Sequence, residues 1–144
     1  MNALQPIGRI RTPFATIDEC PRNVRALDPA PACAVEVFEP YRDGLHSLES
    51  FSHVILLYWL DRAEPPQMVF TPPFDAEPRG VFATRTPHRP NPIGLAVAAL
   101  DGIEGGILRV RYLDCIDGTA LLDIKPYLPS VDAVPDASMG WLRS

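Results

Sequence analysis

The sequence predicts a mainly β, single-domain fold: a small closed or nearly closed barrel of about seven short strands, with short helices and no Rossmann unit. Three observations carry this. Seventeen prolines stand among 144 residues, about twice the usual frequency, and proline lacks the amide donor and breaks helices. No helical periodicity persists over ten residues. Seven short runs carry strand patterning, with turn residues between them. At this size, closing the sheet removes its exposed edges; a sandwich is the alternative arrangement.

The strands follow in order. Ile7–Thr12 is short and flanked by Pro6 and Pro13. In Ala32–Phe38, Cys33, Val35 and Val37 alternate with Ala34, Glu36 and Phe38. Pro40–Phe51 allows one short helix, with Leu45 and Leu48 on one face. His53–Leu60 is continuously apolar and aromatic, as a central strand should be. Gly80–Ala83 is a short candidate. Ile93–Leu100 and Ile107–Leu113 are joined by the glycine-rich connection Asp101–Gly106. In the second of these, Leu108, Val110 and Tyr112 alternate with Arg109 and Arg111. Thr119–Ile124 follows the turn Asp117-Gly118. No repeat, linker or low-complexity stretch divides the chain. One domain over 1–144 is expected, without a C-terminal accessory domain, and this length buries about two-thirds of the unfolded surface.

Composition narrows the function. Thirteen basic and eighteen acidic residues leave a net charge of −5. That balance argues against broad, tight, non-specific binding of nucleic acid and leaves room for a local patch. All the cations but Lys125 are arginines, which suit bidentate recognition of carboxylate or phosphate. The three cysteines, Cys20, Cys33 and Cys115, are odd in number and form no Cys-x-x-Cys, so neither a disulfide framework nor a zinc site is signalled. Cys33 and Cys115 read as buried thiols. With His46, His53 and His88 as the only histidines, no metal centre is expected. The apolar run Val54–Leu60 is far too short to span a bilayer. Met1–Pro6 shows no basic region leading into an apolar one. A soluble, cytoplasmic protein with no membrane partner is the expectation. Gly-x-Gly-x-x-Gly, the P-loop, Gly-x-Ser-x-Gly and His-Glu-x-x-His are all missing.

The most unusual stretch is Ala83–Gly94. Thr86, Arg89 and Asn91 each precede a proline, so the backbone is stiff at low entropic cost. Arg85 and Arg89 offer two guanidinium groups, His88 sits between them, Asn91 adds an amide, and Gly94 permits close approach. Such a loop suits an anionic ligand group. The competing reading is a surface proline loop with solvated arginines. In Leu113–Tyr127, the turn Asp117-Gly118 can read a heterocycle edge through its backbone, and a carboxylate can hold a ribose diol; a plain hairpin turn competes. Asp123, Lys125 and Tyr127 occupy alternate positions and share one face if the strand continues. That pattern fits a site or a salt-bridged exterior. Glu19–Asn23 and Leu60-Asp61-Arg62 carry little by themselves.

Together these segments resemble the TrmO family of tRNA methyltransferases, also called TsaA-like or YaeB-like, from Ile7 to about Ala137. The resemblance rests on Ile7–Phe14, Leu48–His53, Gly80–Arg85, Arg89–Gly94, Asp117–Thr119 and Asp123–Pro129. It implies a small β-barrel that binds S-adenosylmethionine (SAM) without a Rossmann fold. It also implies a homodimer with the cofactor near the subunit interface. The implied reaction is methyl transfer to the exocyclic amine of threonylcarbamoyl-adenosine beside the tRNA anticodon. By position, the implied cofactor contacts are Pro21, Arg22, Asn23, Asp61, Arg62, Arg85, Leu95, Cys115, Ile116, Asp117 and Gly118. Asn23 stands where the family commonly has glutamine. His88, Arg89 and Asn91 are candidates for the acceptor. Asp123, Lys125 and Tyr127 are candidates for arranging it during catalysis.

Overall fold

Residues 3–142 are described by the computed structural model. The apolar run becomes β3 (His53–Trp59). It is central because both of its edges are paired: β6 (Ile93–Glu104) lies on one side and β8 (Ala120–Pro126) on the other. Along β3 the two-residue period sends Val54, Leu56 and Tyr58 into the core. Ile55, Leu57 and Trp59 therefore face outward. With β1 (Gly8–Arg11), β2 (Ala32–Val37) and β7 (Ile107–Arg111), six antiparallel strands close a barrel in the order β1-β2-β7-β6-β3-β8. Ile10, Val35, Leu108, Val110 and Leu121 fill it alongside the β3 side chains. Each fully buried aliphatic side chain contributes roughly 1.5–3 kcal/mol.

The barrel has six strands rather than about seven. The short Gly80–Ala83 candidate splits: only Gly80 lies in a strand, and Val81–Ala83 is a single 3-10 turn. A two-residue ribbon, β4 (Val69–Phe70) with β5 (Arg79–Gly80), stands outside the barrel. It is too short to carry a legible period. The Asp101–Gly106 connection is also shorter than expected. β6 runs on to Glu104, and the turn is Gly105-Gly106, at φ of 60° and 80°. Both positions need the left-handed region, which suits a two-residue hairpin loop. Pro40–Phe51 forms two 3-10 turns, Tyr41–Leu45 and Leu48–Ser50, rather than one helix. Leu45, Leu48 and Phe51 pack from there against the core and plug one end of the barrel.

Antiparallel closure sorts the connections between two rims. The β1–β2, β3–β6 and β7–β8 connections lie at one rim. The plug, the Gly105-Gly106 turn and the end of β8 lie at the other. The rim with the three long connections is called the upper rim below.

Candidate functional site

The upper rim gathers segments far apart in sequence. Pro21, Arg22 and Asn23 lie in the β1–β2 connection. Asp61, Arg62, Arg85, His88, Arg89 and Asn91 lie in the β3–β6 connection. Cys115, Ile116, Asp117 and Gly118 lie in the β7–β8 connection, and Leu95 is the third residue of β6.

Hydrogen bonds between connections hold this rim. The Asp117 amide donates to Phe14 O at 2.8 Å, and Gly118 N donates to Ile10 O at 2.8 Å. Asp117 Oδ1 accepts from Thr12 N at 3.1 Å, and Thr12 Oγ1 donates to Cys115 O at 2.8 Å. Gly118 has φ of 87°, a conformation that residues with a Cβ rarely adopt. The 115–118 turn is thus stapled to the end of β1. One Asp117 oxygen is committed to that staple and the residue remains exposed.

The arginine–proline loop is stiff, and part of it is engaged with itself. Arg89 Nη1 donates to Thr84 O at 2.9 Å and to Thr86 O at 3.1 Å. His88 Nδ1 accepts from Glu64 N at 2.9 Å, tying the loop to the segment after β3. Arg89 and His88 therefore shape the loop before they touch anything else. Arg85 is exposed, and its guanidinium has no ion pair or hydrogen bond among the described residues. It is the loop's open guanidinium. A recess of about 250 Å³ within the β3–β6 connection is lined by Glu64, Pro65, Gln67, Phe70, Thr86 and His88.

Under the rim, sequence reasoning missed one pair. Tyr58 Oη donates to Asp114 Oδ1 at 2.6 Å, and Tyr58 is 2% exposed. The ring lies over Gly94, its cross-strand partner in β6. The pair links β3, the start of β6 and the turn that carries Cys115. Its signals were available. A tyrosine in a central strand needs a partner for its hydroxyl, and Asp114 is a carboxylate between two apolar residues. Burial, then the Asp114 charge, pushes the Tyr58 hydroxyl well above its ordinary range. The same two causes push the Cys115 thiol up to about 12. Burial followed by Asp114 also raises Cys20. These thiols resist ionisation and are poor nucleophiles. In native protein at pH 8, an aromatic disulfide reagent is expected to titrate at most Cys20, and slowly. All three thiols should react in denaturant; prompt native reaction of two or more would contradict this burial.

Arg25 and Tyr112 were also missed. Arg25 Nη2 donates to Val97 O at 2.7 Å, and its guanidinium sits 4.5 Å over the Tyr112 ring. Asn23 Oδ1 accepts from Arg25 N at 3.1 Å. The Pro21–Asn23 segment is thereby fastened to the barrel wall. Asn23 spends its side-chain oxygen on this local cap.

Asp123, Lys125 and Tyr127 stand apart from the upper rim. A bulge in the β3–β8 pairing at Leu57/Tyr58 resets the alternation, so that Asp123 pairs with Leu57 and Lys125 with Ile55 on the outer face. The carboxylate and ammonium form an ion pair at 2.9 Å. Tyr127 lies just beyond the strand, its amide on His53 O and its ring edge-on to His53. Among the described residues, no group of three His, Cys, Asp or Glu could hold a metal ion, and no helix is long and apolar enough to cross a membrane.

A closed antiparallel barrel whose polar segments converge at one rim, around a left-handed glycine turn and an arginine–proline loop, defines a class of small β-barrel distinct from the Rossmann fold. Within that class the chain belongs to the family of the tRNA-methyltransferase O N-terminal domain, whose model matches residues 9–133. Two relatives come from Archaeoglobus fulgidus. A probable S-adenosyl-L-methionine-binding protein is 44% identical over 97% of this chain and 38% of its own length. An S-adenosyl-L-methionine-binding protein is 45% identical over 91% of this chain and 93% of its own length. The crystal structure of TrmO from Pseudomonas aeruginosa superposes with a TM-score of 0.81 at 41% identity, covering 97% of this chain and 62% of that one. The chain thus spans well under two-thirds of the first of these relatives and slightly under two-thirds of the solved structure.

Proposed function

We propose that this protein is a SAM-dependent methyltransferase that modifies the exocyclic amine of threonylcarbamoyl-adenosine beside a tRNA anticodon, working in the cytoplasm as a homodimer. The observation that carries the reading is the convergence on one rim of every segment nominated for the cofactor. The family's tRNA-methyltransferase description and the SAM-binding names of two relatives support it.

The rim residues fit the cofactor's chemistry. Arg85, exposed and without a protein partner among the described residues, suits its carboxylate. The Cys115–Gly118 turn offers backbone groups to the adenine edge, and the second oxygen of Asp117 suits the ribose diol. Arg22, Asp61 and Arg62 border the same rim with exposed charges, and Leu95 offers an apolar contact. When bound, SAM supplies an electrophilic methyl group on a sulfonium. The protein's task is then to hold the acceptor amine in line with it, which positioning alone achieves without a strong general base. His88 and Asn91 on the stiff loop are proposed to meet the acceptor, with Arg89 fixing their geometry.

The homodimer gives Asp123, Lys125 and Tyr127 a place in this scheme. Ile55, Leu57 and Trp59 face Val97, Leu95 and Ile93 across the outer β3–β6 wall. Asp123 and Lys125 border that apolar strip. A second copy seated there would carry one chain's β8 residues toward the other's rim. Sedimentation as a monomer at micromolar concentration would count against this arrangement.

Calorimetric titration with SAM tests the cofactor. Wild type is expected to bind in the micromolar range, about −8 kcal/mol, and Arg85→Ala to weaken binding at least tenfold. Labelled methyl should enter only tRNA that carries threonylcarbamoyl-adenosine. Equal labelling of unmodified transcripts would refute that acceptor. The net charge of −5 favours a small-molecule acceptor as the second reading, marked by methylation that survives ribonuclease treatment.

A further inference from the structure

The barrel is complete when β8 ends at Pro126, at the lower rim. The chain nevertheless continues through one helical turn, α1 (Pro129–Asp132), to a 3-10 turn at Gly140–Leu142. That second turn returns to the β3–β6 connection and sets Trp141 against it. Trp141 Nε1 donates to Ala83 O at 2.8 Å. The indole stacks on Phe74, with centroids 5.9 Å apart and planes 5° from parallel. The Arg79 guanidinium stands 4.5 Å from the indole centroid. These contacts leave Trp141 half-buried. It lies beyond residues 9–133, which the family model matches.

The seat for the indole has its own internal bonds. Arg79 Nε donates to Asp75 Oδ2 at 2.8 Å, and Asp75 Oδ1 accepts from Ala76 N at 2.7 Å. Arg79 pairs with Phe70 across the β4–β5 ribbon, and Val81 N donates to Met68 O at 2.9 Å just beyond it. What Trp141 adds falls directly before Arg85. Thr84 N and Thr84 Oγ1 both donate to Val81 O, at 3.2 and 2.9 Å. Arg89 holds Thr84 O and Thr86 O. All those donors belong to the connection itself, whereas Ala83 O takes its donor from the far end of the chain. The Ala83–Thr84 peptide group is planar and rigid. Val81 O holds it at the amide and Trp141 holds it at the carbonyl.

We propose that Trp141 is a positioning residue for Arg85: by locking the Ala83–Thr84 peptide it presents the open guanidinium to the cofactor's carboxylate in one orientation. The proposal rests on the SAM reading above and assigns the indole no cofactor contact of its own. The ground is preorganisation. An exposed arginine with no protein partner must be ordered when its ligand arrives, and a backbone already fixed loses less freedom on binding. An indole suits this task. Its nitrogen is a donor only, so it cannot be satisfied without an acceptor such as Ala83 O. Its ring is stiff, with two side-chain torsions, and Phe74 and Arg79 fix its plane.

The test combines calorimetric titration with SAM and hydrogen–deuterium exchange, both on the full chain. Trp141→Ala is expected to weaken SAM binding by about fivefold or more. Trp141→Phe keeps a ring on Phe74 and removes the N–H, and should cost about threefold. In an Arg85→Ala background, Trp141→Ala should change the affinity less than about twofold, because no guanidinium is left to position. Exchange needs no cofactor. Peptides covering Val81–Thr86 should exchange about fivefold faster in Trp141→Ala, while those covering β3 keep the wild-type rate. An equal loss of affinity with and without Arg85 would overturn the positioning role. Equal exchange at Val81–Thr86 in wild type and both variants would overturn the latch. Failure of the wild type to bind SAM would overturn the cofactor reading and with it this role for Arg85; faster exchange in Trp141→Ala would still show that the indole holds the turn.

Discussion

Gly94→Ala is expected to destabilise the fold by about 1–3 kcal/mol, a large effect for one methyl group. Gly94 faces inward, directly opposite Tyr58 in the β3–β6 ladder. A Cβ there would lie 2.7 Å from Tyr58 Cδ2 and 2.8 Å from Cζ. The ring cannot step aside freely, because Tyr58 is buried and its hydroxyl is tied to Asp114. Either the ring moves and a hydrogen bond to a charged group is lost, at about 1.5–3 kcal/mol, or β6 moves off β3, an overpacking cost of about 1–3 kcal/mol. Urea unfolding would measure the cost of whichever relaxation is cheaper. A double-mutant cycle separates the cause. Tyr58→Ala should cost about 4 kcal/mol alone through the cavity it leaves, and distinctly less when combined with Gly94→Ala, where the clash is relieved. Additive effects would show that Gly94 is required for some other reason. The same glycine substitution should weaken SAM binding, because Gly94 anchors the end of the arginine–proline loop.

Much of the barrel was legible because its period is simple. Ala32–Phe38 and His53–Leu60 alternate or run apolar for six residues or more, and both became strands within one residue of the expected bounds. The failures share a cause. β4 and β5 have two residues each, and two residues have no period. Asp101-Gly102 looked like a turn because glycine punctuates chains. It lies instead at an irregularity between Leu100 and Gly102, where β6 shifts its register against β7 and continues to Glu104. Proline density correctly excluded long helices. It could not distinguish one short helix from two 3-10 turns at Tyr41–Ser50, because both satisfy the same pair of apolar contacts.

The segments that meet at the upper rim were legible one by one, and their geometry was not. Local stiffness around Arg85–Gly94 follows from the prolines, but the loop's self-satisfaction does not. Arg89, a candidate for the acceptor, also uses Nη1 of its guanidinium on the carbonyls of Thr84 and Thr86. The alternate spacing of Asp123 and Lys125 correctly put both on one face, and pairing with β3 then made them an ion pair away from the upper rim. Tyr58 and Asp114 are separated by fifty-six positions. Only strand order brings them together, and nothing local marks that order.

Alkaline pH is expected to unfold this protein through the groups that this packing protects. Tyr58 and Cys115 are neutral when protonated, and burial with the Asp114 charge raises both pKa values. The unfolded chain therefore releases these protons first. Below about pH 9, the ordinary thiol value, both states hold them and the stabilisation is fully present. As pH rises the unfolded state binds fewer protons, and stability falls. For Cys115, raised from 9.0 to about 12, the loss is on the order of 4 kcal/mol by the upper end of that window. Tyr58 begins to add its own loss above 10, the ordinary phenol value. Urea unfolding at pH 8, 9, 10 and 11 should show a declining midpoint. Net self-repulsion also grows over this range, so the variants carry the assignment. Cys115→Ala should flatten the decline from pH 9 upward, and Tyr58→Phe only the part above pH 10. Tyr58→Phe also leaves the half-buried Asp114 carboxylate without its donor, so it should be less stable than wild type at pH 8 and converge on it as pH rises. A decline of equal steepness in all three proteins would place the alkaline sensitivity in surface charge and remove the protected pair from the account.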